Sequence, residues 1–384
     1  MLSWTFVAAM ALLAVLPPRL PARLRTLLLT GVSLGAIVLI WHVPVIALLA
    51  ASLGVHAVAA RLPLLPLATR RWVLRGAIAA VVSAFVVLKL ELGTTVGFVT
   101  TTSVVGFSYF SLKFIQHLVD AGSGRTRDVD LPAFLCVTFF LPTYAAGPIE
   151  RTDEFARELR ENRRGWLERA AALDRIVIGV GKKFLLADPL LGYAEPIMRD
   201  PAAAAPAVVL LGVYAFALGL YLDFAGYSDL AIGAARAAGV RVRENFDSPY
   251  LSRNIALLWQ RWHMSLTSWL RDFVFVPLTR RVLRHTRHPL ASQLTGQMVT
   301  MVLCGLWHGL SPHFALWGAY NAAGLGVHAA WRSWRGPVPA RRTLANDVLA
   351  TLTTFHFFAF GLILFACDLS QSGRVLQRLL GLFA

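Results

Sequence analysis

Charged residues are scarce in this sequence. Aspartate, glutamate, lysine and arginine make up 15% of the 384 residues, whereas hydrophobic residues make up 57% and the mean hydropathy is +0.60. At that composition a water-soluble domain of this length lacks the polar side chains needed to cover its surface. The composition therefore excludes a soluble globule and predicts an integral membrane protein.

Acidic residues are the rarer charge, 21 against 37 lysines and arginines, which gives a formal charge of +16. Nucleic-acid-binding proteins have such a balance, but here the basic residues form short clusters between apolar runs, as the positive-inside rule describes. We therefore expect no nucleic-acid partner. The spacing of the clusters predicts an inner-membrane protein with both termini outside the cytoplasm. The clusters are Arg19–Arg25, Arg61–Arg75, Arg125–Arg127, Arg280–Arg287 and Arg332–Arg342.

Several sequence signatures are missing. The three cysteines, Cys136, Cys304 and Cys367, lie in apolar segments without paired spacing, so neither a disulfide framework nor a cysteine-based metal site is expected. The G-x-S-x-G and H-E-x-x-H patterns do not occur, and Gly179–Lys183 lacks the upstream glycine and the Ser/Thr of a P-loop. We predict no bound metal, and we expect the two lysines of that segment to mark a helix end.

Long apolar runs recur along the chain, for example Leu27–Val43, Gly76–Leu90, Val208–Leu222 and Val348–Cys367. They are long enough for helical spans, roughly ten or eleven in all, and Leu2–Leu16 is expected to be a retained first span. The prediction is an all-α, polytopic helical bundle that forms one domain over 1–384. Residues 1–122 would be scaffold spans, 123–331 the functional core and 332–384 a C-terminal span.

The core segment has a different character. After Leu131, proline, glycine and charged residues interrupt the apolar sequence, which favours re-entrant or interfacial helices. Asp153–Arg175 alternates glutamate and arginine with apolar residues at helical intervals and predicts one helix on the cytoplasmic surface.

Two histidines stand out as candidates for chemistry. His263 lies among Trp259, Trp262 and Trp269, and His308 follows Trp307 in an apolar segment. If that helix starts near Leu294, His308 lies inside the hydrocarbon layer. An imidazole kept from water stays uncharged and can accept a proton. A structural hydrogen bond to a neighbouring carbonyl explains His308 equally well. The other histidines are expected to be structural: His42, His56, His117, His285, His288, His313, His328 and His356.

Acidic residues at membrane depth form a second polar group. Asp223 and Asp229 interrupt an apolar run, and Arg261 or Arg271 is expected to neutralise one of them. We assign Asp223, Arg261 and Asp272 structural roles.

Blocks of this sequence resemble the bacterial membrane-bound O-acyltransferases (MBOAT), and they follow the family's order over about 106–331. The blocks are Phe140–Arg151, Gly179–Phe184, Leu222–Ser228, Asn245–Asn254, Trp259–Phe273 and Leu306–Gly309. The resemblance implies that His308 is the catalytic histidine and that His263 is a second important position. The family often has a further histidine where this chain has Tyr320 and Asn321.

The resemblance also implies a reaction. An acyl group would pass from a thioester on the cytoplasmic side, through a central tunnel, to a hydroxyl acceptor reached from outside. The donor would be a phosphopantetheine thioester on an acyl carrier protein, or acyl-CoA, with no bound cofactor. An extracytoplasmic or membrane-anchored acyltransferase and an envelope polymer would be further partners. The residues expected to bind substrate are Trp259, Trp262, Ser265, Trp269, Trp307 and Asn245.

Two branches of the family fit the sequence. Phe140–Thr143 and the basic insert Leu278–Pro289 resemble the D-alanyl exporters (DltB-like), whereas Tyr227–Gly233 and Leu316–Gly318 resemble the acetyl exporters (AlgI-like). The D-alanyl branch is favoured. A transporter or flippase is the alternative from another class, since broken helices with buried polar residues also form substrate pathways.

Overall fold

A computed structural model describes residues 10, 12–13, 20–41, 45–94, 106–126, 128–161, 165–336 and 343–381. These residues are almost entirely helical and contain no strand, which confirms the all-α prediction. The predicted first span, Leu2–Leu16, lies almost wholly outside the described residues, as do His42 and part of the basic clusters.

The helices are numbered here in chain order. The first eight are α1 (Ala22–Trp41), α2 (Val45–Arg61), α3 (Leu67–Thr94), α4 (Phe107–Gly122), α5 (Leu131–Phe139), α6 (Leu141–Tyr144), α7 (Thr152–Glu161) and α8 (Trp166–Val180). The others are α9 (Asp188–Arg199), α10 (Pro206–Ala237), α11 (Ile255–Arg261), α12 (Met264–Leu270), α13 (Val276–Thr286), α14 (Pro289–His308), α15 (Pro312–Arg335), α16 (Leu344–Ala366) and α17 (Leu369–Leu380).

Five helices of the described part are long and apolar enough to cross a membrane: α1, α2, α3, α10 and α16. Four of them, α1, α3, α10 and α16, contain most of the four apolar runs named above, and the set is that of a multi-pass membrane protein. The remaining helices are shorter or more polar. The sequence breaks them with proline, as at Pro132 and Pro142, and with capping residues such as Asp130, whose carboxylate accepts from the backbone N–H of Ala133.

The chain divides into two compact units. The first comprises Met1–Gly179 and Tyr227–Arg243, and the second comprises Val180–Gly226 and Glu244–Ala384. The first unit has a core rich in phenylalanine, in which Phe110, Phe134 and Phe139 are almost completely buried. The second unit holds both histidines predicted to carry chemistry.

Two local predictions were wrong. Asp153–Arg175 does not form one helix, because α7 ends at Glu161 and α8 begins at Trp166. Lys182 and Lys183 do not mark a helix end. They lie in a π-helical segment, Gly181–Ala187, that continues α8 directly into α9. A π-helical turn keeps the backbone hydrogen-bonded while adding one residue to the turn.

A tight helical hairpin positions the end of α14. Helices α14 and α15 run antiparallel, with Gly305 against Phe314 and Gly318 against Met301. A Cβ at Gly305 would collide with the carbonyl oxygen of Phe314, and one at Gly318 would collide with that of Met301. The two glycines therefore allow a backbone approach that any other residue would prevent.

Candidate active site

His308 is the last residue of α14. The helix starts at Pro289, with His288 as its N-cap, so the expected start near Leu294 was wrong by about one and a half turns. The imidazole therefore lies where the helix ends and not in the middle of a span. It is half-buried among aromatic rings, with ring-centroid distances of 4.8 Å to Trp307, 5.0 Å to Phe365 and 5.6 Å to Trp317.

His263 occupies the turn between α11 and α12. Its φ of 41° is left-handed, and its side chain is only 3% exposed. Nδ1 lies 3.3 Å from the side-chain oxygen of Asn245, which also accepts a hydrogen bond of 2.6 Å from the hydroxyl of Ser265. Because an amide oxygen only accepts, the imidazole is protonated at Nδ1 and Nε2 is the proton acceptor.

The two histidines, called the site pair below, belong to the same unit. Burial, and to a smaller extent the electrostatic influence of His308, lowers the pKa of His263 to about 3. Aromatic rings connect them: Phe224 lies 4.7 Å from His263, Trp262 lies 4.9 Å from Phe358, and Trp259 lies 5.9 Å from Trp317. Around the buried His263 such a wall excludes water, which strengthens electrostatic interactions there.

The residues expected to bind substrate fall into two groups. Asn245 and Ser265 are buried; Asn245 contacts His263 directly, and Ser265 donates to the same oxygen of Asn245, so both residues support that ring. The backbone reinforces this support, because the N–H of Met264 donates to the carbonyl of Asn245 at 2.8 Å. The tryptophans form the aromatic wall: Trp259, Trp262 and Trp307 as described above, and Trp269 with its ring 5.1 Å from Phe273.

Trp259 also lines an apolar cavity of about 120 Å³ together with Thr300, Met301 and Leu325. Arg271 lies on the wall of the same cavity. The cavity borders α12, α14 and α15. It provides free volume beside Trp259, and His263 is not among its lining residues.

The charged residues pair differently from the prediction. Asp223 binds Lys183, and Asp229 binds Arg175 at 2.8 Å. Arg261 lies 3.6 Å from Asp247, and Arg271 lies 2.8 Å from Asp272. The expectation that Arg261 or Arg271 neutralises Asp223 or Asp229 was therefore wrong. The partners come from segments that only the fold brings together.

Several residues of the aromatic wall were not predicted: Phe224, Trp317, Phe358 and Phe365. Trp317 was within reach of sequence reasoning, because Gly305 and Gly318 flank a short turn and imply that α15 packs closely on α14. The phenylalanines carry no local signal, since they resemble any other apolar residue of a membrane helix.

A second pair of histidines, called the scaffold pair below, lies in the first unit. His56 Nδ1 is 3.2 Å from His117 Nε2, and the rings are nearly parallel with centroids 5.4 Å apart. The centroids are farther apart than the nitrogens by about two ring radii, so both nitrogens lie on the line between the centroids. The two rings therefore face each other edge to edge. The geometry is that of an N–H···N hydrogen bond. His117 also stacks on Phe134 at 4.0 Å.

The donor set at the site pair consists of two imidazoles, an amide and a hydroxyl. In the described part of the chain, no group of three or more histidine, cysteine or acidic residues is arranged to hold a metal ion. The three cysteines are free and buried, in keeping with the packing role expected of them.

Comparison with known proteins decides the family. The model of the membrane-bound O-acyltransferase family matches residues 68–366, a range that includes both histidines of the site pair. The chain belongs to the MBOAT family. The predictions of family, of multi-pass helical architecture and of an acyltransferase are thereby confirmed.

Relatives of this MBOAT chain are named either as D-alanyltransferases or as O-acetylating enzymes. It is 32% identical to the teichoic acid D-alanyltransferase of Bacillus subtilis, over 69% of each chain. It is 33% identical to a probable alginate O-acetylase, AlgI, of Azotobacter vinelandii, over 62% of this chain and 46% of that protein. A peptidoglycan O-acetyltransferase of Helicobacter pylori is 28% identical over 65% of this chain and 46% of its own length. The chain therefore spans about half the length of the O-acetylating relatives.

Proposed function

We propose that this protein transfers an acyl group, preferentially D-alanyl, from a carrier thioester in the cytoplasm to a hydroxyl acceptor at the outer face of the inner membrane. The product would be an ester on a polymer of the cell envelope. The observation that carries the proposal is the site pair: two imidazoles in one compact unit, one half-buried in an aromatic wall and the other buried and held by Asn245.

The chemistry needs one base that moves one proton. His308 accepts the proton of the acceptor hydroxyl, and at the same time the hydroxyl oxygen attacks the carbonyl carbon of the thioester. As the carbon–sulfur bond breaks, the thiolate leaves and takes that proton, so His308 returns to its starting state. His263, with its acceptor nitrogen Nε2, orients the reacting groups. The tryptophans hold them close together, which lowers the entropic part of the barrier.

The donor approaches from the side on which arginine clusters. A formal charge of +16 attracts an acidic carrier protein and raises its rate of encounter. The thioester arm then enters a tunnel toward His308. Acyl-CoA, which is also anionic, is the other thioester source that fits. An extracytoplasmic or membrane-anchored acyltransferase would receive the group or pass it to the polymer.

The relatives support D-alanyl transfer more than acetyl transfer. The match to the Bacillus subtilis D-alanyltransferase covers the same share of both chains, whereas matches to the O-acetylases leave about half of those proteins uncovered. Acetyl transfer to an alginate-like exopolysaccharide is the second candidate, favoured by an identity of 33% to AlgI. Transport without acyl transfer is the third.

The decisive experiment replaces His308 in the source cell with alanine and measures ester-linked D-alanine and acetate on envelope polymers. We expect D-alanyl esters to disappear and acetate to stay unchanged. Loss of acetate alone would establish the second candidate, and wild-type levels of both would leave only transport without acyl transfer. His356→Ala, which alters an imidazole outside the site pair, is the matched control.

The orientation is a further part of the proposal. With the arginine clusters in the cytoplasm, both termini lie at the outer face. Reporter fusions at each terminus test this directly, because a reporter that is active only outside the cytoplasm should be active at both ends.

A further inference from the structure

The stretch between Asp272 and Asp347 has an unusual charge composition. It contains no aspartate or glutamate, whereas it contains eight arginines: Arg280, Arg281, Arg284, Arg287, Arg332, Arg335, Arg341 and Arg342. The two acidic residues that flank it already have basic partners, since Asp272 pairs with Arg271 and Asp347 lies 3.0 Å from Arg253. The stretch therefore carries eight positive charges and has no acidic residue of its own to neutralise them.

The fold gathers this charge at one end of the α14–α15 hairpin. Helix α13 turns back along the start of α14, with the hydroxyls of Thr286 and Ser292 at 3.1 Å. Because α14 and α15 are antiparallel, the last turn of α15 lies beside the first turn of α14. The six arginines of α13, its following turn and the end of α15 thus share one end of the hairpin, called the basic end below.

These six arginines are all exposed. Within the described residues none of them forms an ion pair with a carboxylate, although such pairs are seen elsewhere in the same part of the chain. Helix α13 has no fully buried residue, and its arginines lie on the exposed side of the helix. The arginines are Arg280, Arg281, Arg284, Arg287, Arg332 and Arg335.

Large apolar side chains are exposed next to the same charges. Trp331 is 50% exposed, Trp334 is 79% exposed, and their rings lie 5.4 Å apart. The guanidinium of Arg335 lies over the Trp331 ring at 5.6 Å. On α13, Leu283 is 38% exposed between Arg281 and Arg284. A partner for this surface must therefore offer anionic and apolar groups together.

We propose that the basic end binds the headgroups of anionic phospholipids. A phosphodiester oxygen pair matches the fork of a guanidinium, and tryptophan is favoured at the boundary between headgroups and acyl chains. Arginine with interleaved leucine and tryptophan is the pattern of helices that lie at an anionic membrane surface. A soluble acidic protein would satisfy the arginines, but it would leave Trp331, Trp334 and Leu283 without an apolar environment. The lipid supplies both.

The test uses the purified full-length protein in a neutral detergent. Phosphatidylglycerol and phosphatidylcholine are added in turn, and bound lipid is counted by native mass spectrometry at low and high salt. We expect the wild type to retain phosphatidylglycerol preferentially and to lose the preference at high salt. R280Q/R281Q/R284Q should bind phosphatidylglycerol at least about tenfold more weakly, because each arginine near an anionic surface contributes about fivefold.

The matched control, R157Q/R169Q/R199Q, removes the same charge at exposed arginines elsewhere, and its lipid preference should equal that of the wild type. A circular dichroism spectrum and a melting curve check that both triple variants are folded. Equal retention of the two lipids by the wild type would overturn the proposal, and so would equal loss in both triple variants. Displacement of the bound lipid by a soluble poly-glutamate peptide, with no lipid preference remaining, would assign the surface to an acidic protein instead.

Discussion

The protein contains two pairs of neighbouring histidines, one in each compact unit, and the pairs are built differently. In the scaffold pair, His56 and His117 hydrogen-bond to each other and stack on Phe134. In the site pair, His263 is held through Nδ1 by Asn245, while His308 lies among aromatic rings at a helix end. The first arrangement uses the imidazoles to hold two helices together. The second fixes the His263 ring through Asn245 and leaves the His308 ring half-buried among aromatic side chains, an arrangement that suits the proposed proton transfer.

Replacing His308 should produce the largest difference in kcat between variants of the site pair and variants of the scaffold pair. His308→Ala removes the proposed general base, and we expect kcat to fall by about 10²–10⁴ while KM changes little. Initial rates with purified protein in vesicles and a carrier thioester measure this. His117→Phe, which alters the scaffold pair, should leave kcat per folded molecule unchanged. Equal losses in the two variants would mean that the pairs do not differ in function.

Replacing Asn245 tests whether its hydrogen bond to His263 Nδ1 contributes to activity. Asn245→Ala should lower kcat about ten- to a hundredfold by freeing the His263 ring and its tautomer. Asn245→Asp keeps an acceptor but adds a negative charge, which favours the charged imidazolium. Its pH–rate profile should therefore shift toward higher pH. A profile identical to that of the wild type would contradict the assigned hydrogen bond.

Substitutions in the scaffold pair should lower the free energy of unfolding and leave catalysis unchanged. His56→Leu or His117→Phe alone leaves the partner ring without its hydrogen bond, which costs about 1–3 kcal/mol of unfolding free energy. The double replacement should recover part of that loss, because no polar group is then left unpaired. Thermal melting of the detergent-solubilised protein measures all three variants. Additive losses in the double variant would show that the two rings are not coupled.

The smallest expected effect concerns pH and the first unit. Glu150 lies in the loop between α6 and α7, where burial raises the pKa of its carboxyl to about 7, although the backbone N–H of Arg243 donates to it at 2.8 Å. Because the folded-state pKa lies above the unfolded value, the folded protein binds the extra proton, and stability falls as pH rises from about 4.5 through 7.

Glu150→Gln should remove this pH dependence without affecting catalysis. The measurement is the melting temperature of wild type and variant between pH 5 and pH 8. Curves that stay parallel over that range would show that Glu150 is ionised throughout. The test is confined to the first unit, so it probes whether the polar groups near the scaffold pair serve stability alone.

The sequence predicted the features that depend on composition and local pattern. The apolar runs correspond to α1, α3, α10 and α16, and the two candidate histidines lie in one unit with the tryptophans predicted beside them. Chain order, however, says nothing about partners far apart in sequence. The partners of Asp223 and Asp229 therefore needed the fold, and so did the continuation of α8 through Lys183.

The start of α14 could have been predicted more accurately. Pro289 stands at the first turn of the helix, a position at which proline is favoured, and the side chain of His288 accepts from the N–H of Ala291 at 3.3 Å. The aromatic wall around His308 could not have been predicted, because Phe358 and Phe365 lie on α16 and only tertiary packing places them there. The tunnel and the single-domain organisation stay predictions.

The left-handed backbone at position 263 limits what substitution can do there. Histidine, asparagine and aspartate adopt this conformation more readily than other side chains, glycine adopts it freely, and a β-branched residue is strongly disfavoured. Any valine or isoleucine that arises at this codon would unsettle the turn before its chemistry mattered. The left-handed backbone conformation therefore limits which amino acids can replace His263 during evolution.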